Sequence, residues 1–570
     1  MGLFRVTTAA LVSAFFISIA AAQTTAPMHV VQDWSTHHVV FTGLTPTNVD
    51  AAVQIEPRAW QSWLGHGRHR FSTIAPAATR AETREVSVRE RRRRRHRKEL
   101  KVDWQMPIPG IVGPRAFPAK FGFDVNAAPD CVNDFVVFPS IGTAAPGASG
   151  AGVIASLVAF NNLYTGPGPS GICPTPTAPA AQPSVLFAYN TTTTTQGMAH
   201  LSPVLSLDGK KIAFVESNGF SNTAFHVLTW KAGEGTFASA AAPRDCSAGN
   251  SCMTTLVLSN VRSDFNSSPF IDYANDTAYV GTDGALLHKI TPVFNGTPAE
   301  VIGNGWPVQL PLAQVGSPVF DSVSGRVFVT TNTGSLVVVD AASGATIQTI
   351  DLGATFPSDP IVDSTNQTVF VFFANINNLH LTVEQFDTSG TLMRQIDAGA
   401  LGGDVNVFTG AFDNNYFTDP ASGSLYFAGA AGGVASLFSV GFTGKTMNST
   451  FSGPLRLSTS ANTSAPQSMT EIFNPNLSNS PDRLFLGIEE DCAAGSPDGC
   501  IESFDISHGF PAGILNTRTL ATNGAVNSVS GIIIDNVSSV SQASSIYFES
   551  FPQPSSSPTS AIKLTQSGLQ

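Results

Sequence analysis

The feature that most constrains this chain is a phrase that returns along it. The segment SPVFDSVSGRVFVTTNTGSLVVVDAASGATIQTIDLG, starting at Ser317, divides into four short β-rich runs. They are Pro318 to Asp321, Arg326 to Thr330, Ser335 to Asp340 and Ala345 to Asp351. SVSG, TNTG and AASG stand between them, and each carries the Gly, Asn or Ser that tight turns use. Four short antiparallel strands joined this way make one propeller blade. The opening recurs as SPVLSLDGKKIAFVES at Ser202, SPFIDYANDTAYVGTDG at Ser268 and DPIVDSTNQTVFVFF at Asp359, with weaker copies near Lys120, Phe412, Glu471 and Ser530. Repeats at such intervals specify a radial or stacked array. The expected fold is therefore all-β: a β-propeller of eight four-stranded antiparallel blades. Seven is the alternative, if two weak units form one irregular blade. The last copy shows only three strands. LKVDWQM, Leu100 to Met106, precedes the first blade and is expected to supply the fourth strand and close the ring. Closure removes the open sheet edges that promote aggregation.

Composition agrees and excludes other classes. Only 12% of the 570 residues are charged, against roughly 25% in an average domain. Glu, Lys and Arg are too scarce for a long coiled coil, and 42% hydrophobic residues exclude a wholly disordered chain. Residues 1–22 read as a secretory signal peptide: Arg5, an apolar run from Leu11 to Ile19, then Ala20-Ala21-Ala22. Beyond it no apolar run reaches the ~20 residues of a membrane helix. The expected location of the mature chain is secreted, periplasmic or at the cell surface. Residues 23–77 receive no structural assignment. Residues 78–101 form a basic linker whose charge spacing is compatible with a helix, and 102–570 the propeller.

Export makes the six cysteines informative, because an oxidising compartment favours disulfides. Sequence neighbours pair naturally as Cys131 with Cys173, Cys246 with Cys252, and Cys492 with Cys500. The last two would close turn-rich loops. The basic linker contains Arg91, Arg92, Arg93, Arg94, Arg95, Arg97 and Lys98. It reads first as a solvated segment with Glu–Arg pairs four residues apart. It also suits contact with an anionic envelope surface, or a processing site between a pro-segment and the mature domain. Nucleic acid is not expected, since no aromatics are interleaved with the charges.

AYVGTDGALLHKI (Ala278 to Ile290), VVDAASG (Val338 to Gly344) and QFDTSG around Asp387 carry a resemblance. These phrases resemble the quinoprotein-like and YVTN-like propeller repeats of exported bacterial proteins. The resemblance implies the propeller scaffold and an exported protein. It departs from the pyrroloquinoline-quinone dehydrogenases in having no adjacent cysteine pair. Gln348 and Arg394 stand where those repeats often carry Trp; Trp306 alone suggests a docking tryptophan. No cofactor is predicted.

Individual residues point to little chemistry. His200, His226, His288, His380 and His508 are scattered, without metal-ligand spacing. Asp208, Asp272, Asp321 and Asp363 recur near the first turn of successive units. They could ring the channel and hold Ca²⁺, but turn capping is the preferred reading. No serine-nucleophile motif or phosphate loop is present. The functional expectation is an exported, non-catalytic, monomeric propeller that binds a protein or glycan partner. The alternatives are a propeller enzyme, quinone-dependent or polysaccharide-active, with its site at the channel mouth, and an envelope-docked structural protein.

Overall fold

The computed structural model describes residues 30–32, 37–41 and 100–566, the last range with short gaps of which the longest is 536–544. Eight antiparallel sheets of four or more strands follow one another along the chain and form an eight-bladed propeller. Blade 4 comprises Val319–Asp321, Arg326–Thr330, Ser335–Asp340 and Thr346–Asp351, within a residue of the runs read from the sequence. Its turns work as their glycines suggest. Gly325, Gly334 and Gly344 all adopt positive φ. At Gly344 a side chain is excluded twice over, because a Cβ would also stand 2.7 Å from the backbone of Gly305 in blade 3.

Inner strands are short and sealed on both faces. Phe270–Asp272, Val319–Asp321 and Ile361–Asp363 are fully buried. Outer strands reach solvent; Thr346–Asp351 is mostly exposed. Blade-to-blade packing uses aromatic and β-branched residues, as in the cluster of Phe370, Phe372, Phe412, Tyr416, Phe427 and Phe438 between blades 5 and 6. Burial of such side chains is the main stabilising term.

Among the described residues three strands lie N-terminal to blade 1: β1 (Val31–Gln32), β2 (Val39–Phe41) and β3 (Leu100–Ile108). β3 pairs antiparallel with Thr559–Gln566 and takes the outer place in blade 8. Blade 8 thus joins both ends of the repeat region. Its inner edge is divided: Ile533–Asp535 pairs with the first part of Ser545–Gln553 and Val526–Val529 with the last. β3 begins at Leu100, so its first two residues come from the segment read as linker.

β1 and β2 add to inner strands. β1 pairs antiparallel with Ile361–Asp363 of blade 5, and β2 pairs parallel with Ala119–Gly122 of blade 1. Blades 1 and 5 lie opposite each other in a ring of eight. β1 and β2 therefore line opposite walls of the central channel and run in opposite directions.

Two disulfides join the expected neighbours, Cys131 to Cys173 and Cys492 to Cys500. Cys252 is also disulfide-bonded, while Cys246 lies outside the described residues. Among the described residues no helix is long and apolar enough to cross a membrane.

Candidate functional site

The repeated Ser-Pro phrase positions one mouth of the channel. Each serine precedes the innermost strand of its blade, and its hydroxyl accepts the N–H of the preceding blade. Phe117 N donates to Ser202 Oγ (2.9 Å), Ser202 N to Ser268 Oγ (3.1 Å) and Ser268 N to Ser317 Oγ (3.1 Å). Ser317 N donates to Asp359 Oδ1 at 2.7 Å, the aspartate standing where earlier repeats have serine. Gly531 N donates to Ala116 O and links blade 8 to blade 1. Buried N–H groups need such acceptors, which is a physical reason for the recurring phrase.

Asp359 is buried, and burial raises its carboxyl above the ordinary range against the opposing pull of Arg115 and the Ser317 N–H. The Arg115 guanidinium lies 5.7 Å from the centre of the Phe408 ring. Arg115, Phe117, Asp359, Phe408, Thr409 and Ser468 line a cavity of about 10 Å³. That is the room one water needs, not a ligand.

At the other mouth the recurring aspartates cap turns. Asp272 accepts from the N–H groups of Ala274 and Asn275, and Asp363 from those of Thr365 and Asn366. A second oxygen often reaches the next blade. Gln367 Nε2 donates to Asp321 Oδ2, and the Tyr416 hydroxyl donates to Asp363 Oδ2 at 2.8 Å. A Ca²⁺ ion would have to compete with these donors. Asp208 caps locally, accepting from Ser206 Oγ and Lys210 N. Among the described residues no group of three or more His, Cys, Asp or Glu is placed to hold a metal ion.

The scattered histidines divide in the same way. His226 Nε2 lies 2.8 Å from Glu216 Oε2, and His288 Nδ1 lies 2.6 Å from Glu300 Oε1. Burial raises the Glu216 carboxyl, but His226, Thr193 and Thr194 outweigh it and hold the group at about 2. His200 is buried and His508 exposed. His380 is half-buried, and no three of the five form a metal-holding group. Trp306 is also structural: its buried ring lies 5.7 Å from Tyr279, with the Lys289 ammonium 5.6 Å above it.

Where the ring closes, a polar cluster missed by the sequence reading is sealed between blades 8 and 1. Lys120 pairs with Asp535 at 2.8 Å and Lys563 with Asp103 at 2.9 Å, all four side chains being no more than 1% exposed. The Tyr164 hydroxyl donates to Asp134 and to Asp535. Burial lowers the Lys563 ammonium despite Asp103 beside it. The only hint in the sequence was charge inside otherwise apolar strand runs, AKFG and LKVDWQM.

The channel between the two mouths is occupied by the chain itself. Val30, Val31, Gln32, His37, His38, Val39 and Val40 are all buried. The His37 ring lies 4.3 Å from that of Phe270, and the His38 ring stacks on Phe117 at 5.4 Å. His38 Nδ1 is 3.1 Å from Pro203 O. Sequence reading missed these strands because VVQ and VVF are too short to show a period. Arg91 to Lys98 lie outside the described residues.

No family model matches the sequence. No curated protein sequence matches it either. Solved structures do. The computationally designed Ika8 protein is 12% identical, with TM-score 0.42, covering 80% of this chain and 99% of its own. A chain of the mitotic checkpoint complex is 11% identical, with TM-score 0.36, covering 63% and 86%. A chain of the BBS1N–ARL6DN complex is 8% identical, with TM-score 0.32, covering 62% and 86%. The resemblance to quinoprotein-like and YVTN-like repeats thus rests on the quoted phrases alone.

Proposed function

We propose that this protein is an exported, non-catalytic binding scaffold that presents the loops of one propeller face to a protein or glycan partner. One observation carries the reading. The channel, where a propeller enzyme would gather convergent polar groups, is occupied by residues 30–32 and 37–41, and the serines at its mouth are engaged in blade-to-blade hydrogen bonds. Blade loops are the places where function accumulates on a rigid scaffold. The disulfides Cys131–Cys173 and Cys492–Cys500 suit an oxidising compartment.

The test pairs a glycan array and immobilised envelope-protein fractions with turnover assays on quinone-linked and polysaccharide substrates. The expected result is saturable, salt-tolerant binding of a defined partner without turnover. Turnover of either substrate class, with no partner bound, would contradict the proposal.

A further inference from the structure

We propose that the channel is a binding site for extended peptide strands, and that residues 30–32 and 37–41 are its resident ligand, held without needing their covalent link to the blades. The contacts are those of strand addition, in which backbone hydrogen bonds supply affinity and alternate side chains supply specificity. Val31 lies opposite Asp363 and Gln32 opposite Val362 on blade 5. Val30 contributes at both its backbone groups: its N–H donates to Thr365 Oγ1 and its carbonyl accepts from Ser364 N, each at 2.8 Å. On blade 1, Lys120 N donates to His38 O at 2.8 Å, and Val39 to Phe41 register with Lys120 to Gly122.

The side chains add a second kind of recognition. Val31 joins the core between blades 5 and 6, Val39 the main core and Val40 the core between blades 1 and 2. His37 and His38 rest on Phe270 and Phe117, from blades 3 and 1. One short segment thus contacts four separate blades, whereas its only chain connection to them runs through residues 42–99. A linker of that length adds only modest effective concentration. The ligand class that fits is an extended peptide with β-branched residues at both ends and paired imidazoles between.

The experiment uses the full chain with Arg91–Arg95 replaced by the recognition sequence of a site-specific protease. After complete cutting, native size-exclusion chromatography with mass spectrometry asks whether the N-terminal fragment stays with the ring. The expected result is one-to-one co-elution. A fluorescent synthetic peptide of residues 28–42, added in excess, should then replace the fragment, and its Val40→Pro version should bind at least tenfold more weakly. Separation of the fragment from a ring that keeps its melting temperature would overturn the proposal. Unfolding on separation, or retention with no exchange, would equally overturn it, by making the segment a fixed part of the fold.

Discussion

Lys120 and Asp535 form an ion pair of 2.8 Å across the junction of the first and last blades, with both side chains sealed from solvent. The pair belongs to one pattern. A turn aspartate at the end of an inner strand takes a donor from the following blade, as Asp321 takes Gln367 and Asp363 takes Tyr416. At the closing junction the donor is a lysine, and the partner blades are farthest apart in sequence. Breaking one side of a buried pair leaves an uncompensated charge, at a cost of about 3–5 kcal/mol. Asp535→Asn should lower denaturant stability by that order, and the double change Lys120→Met with Asp535→Leu should lose less. A double variant that loses as much as its two single changes added together would show that the pair is not coupled.

The serine relay makes a separate prediction. Ser317→Ala removes the acceptor of the Ser268 N–H, and an unsatisfied buried donor costs about 1–3 kcal/mol. Ser322→Ala, at an exposed position in the turn between the first two strands of blade 4, serves as the control and should change stability by less than about 0.5 kcal/mol. Equilibrium unfolding of the two variants measures the difference.

Acid and neutral pH should act in opposite directions. Glu216 is depressed from 4.5 to about 2, so its contribution is present above about 4.5 and is lost as pH falls towards 2. Glu384 is pushed up to about 7 by burial and by Asp397, and Asp413 to about 7 by burial with Asp482 adding to it. Their raised values favour the fold at low pH, and that advantage is lost as pH rises to about 7. Melting temperature should therefore peak near pH 5, and Glu384→Gln should flatten the decline from pH 5 to 7. An unchanged decline would remove Glu384 from the account.

The disulfides Cys131–Cys173 and Cys492–Cys500 should contribute unequally. Loop-closure entropy predicts about 4 kcal/mol for the separation of 42 residues in Cys131–Cys173, and about 2.5 kcal/mol for the 8 in Cys492–Cys500. Paired Cys→Ser variants compared by denaturant unfolding would reveal the order.

The blades were legible because strand, turn and register are encoded within each repeat. In the Ser317 unit, the β-rich runs and the turn phrases SVSG, TNTG and AASG mark the boundaries to within a residue. The expected eight blades, and the pairing partner for Leu100 to Met106, follow from counting such units. What stayed hidden depends on distant partners. Lys120 and Asp103 read as ordinary charges until blades 8 and 1 meet. β1 and β2 span two and three residues, too few for a period, and their stability comes from the strands they join. The serines were seen as a repeated word, while their role as acceptors for the preceding blade needed the ring.

The central claim is that the chain fills its own channel, and hydrogen exchange of residues 30–41 in the intact protein tests it most directly. The account predicts that amides of Val39 to Phe41 exchange as slowly as those of the inner strands Ala119–Gly122 and Ile361–Asp363. Exchange across 30–41 at the rate of an unstructured peptide, with the inner strands still protected, would contradict it.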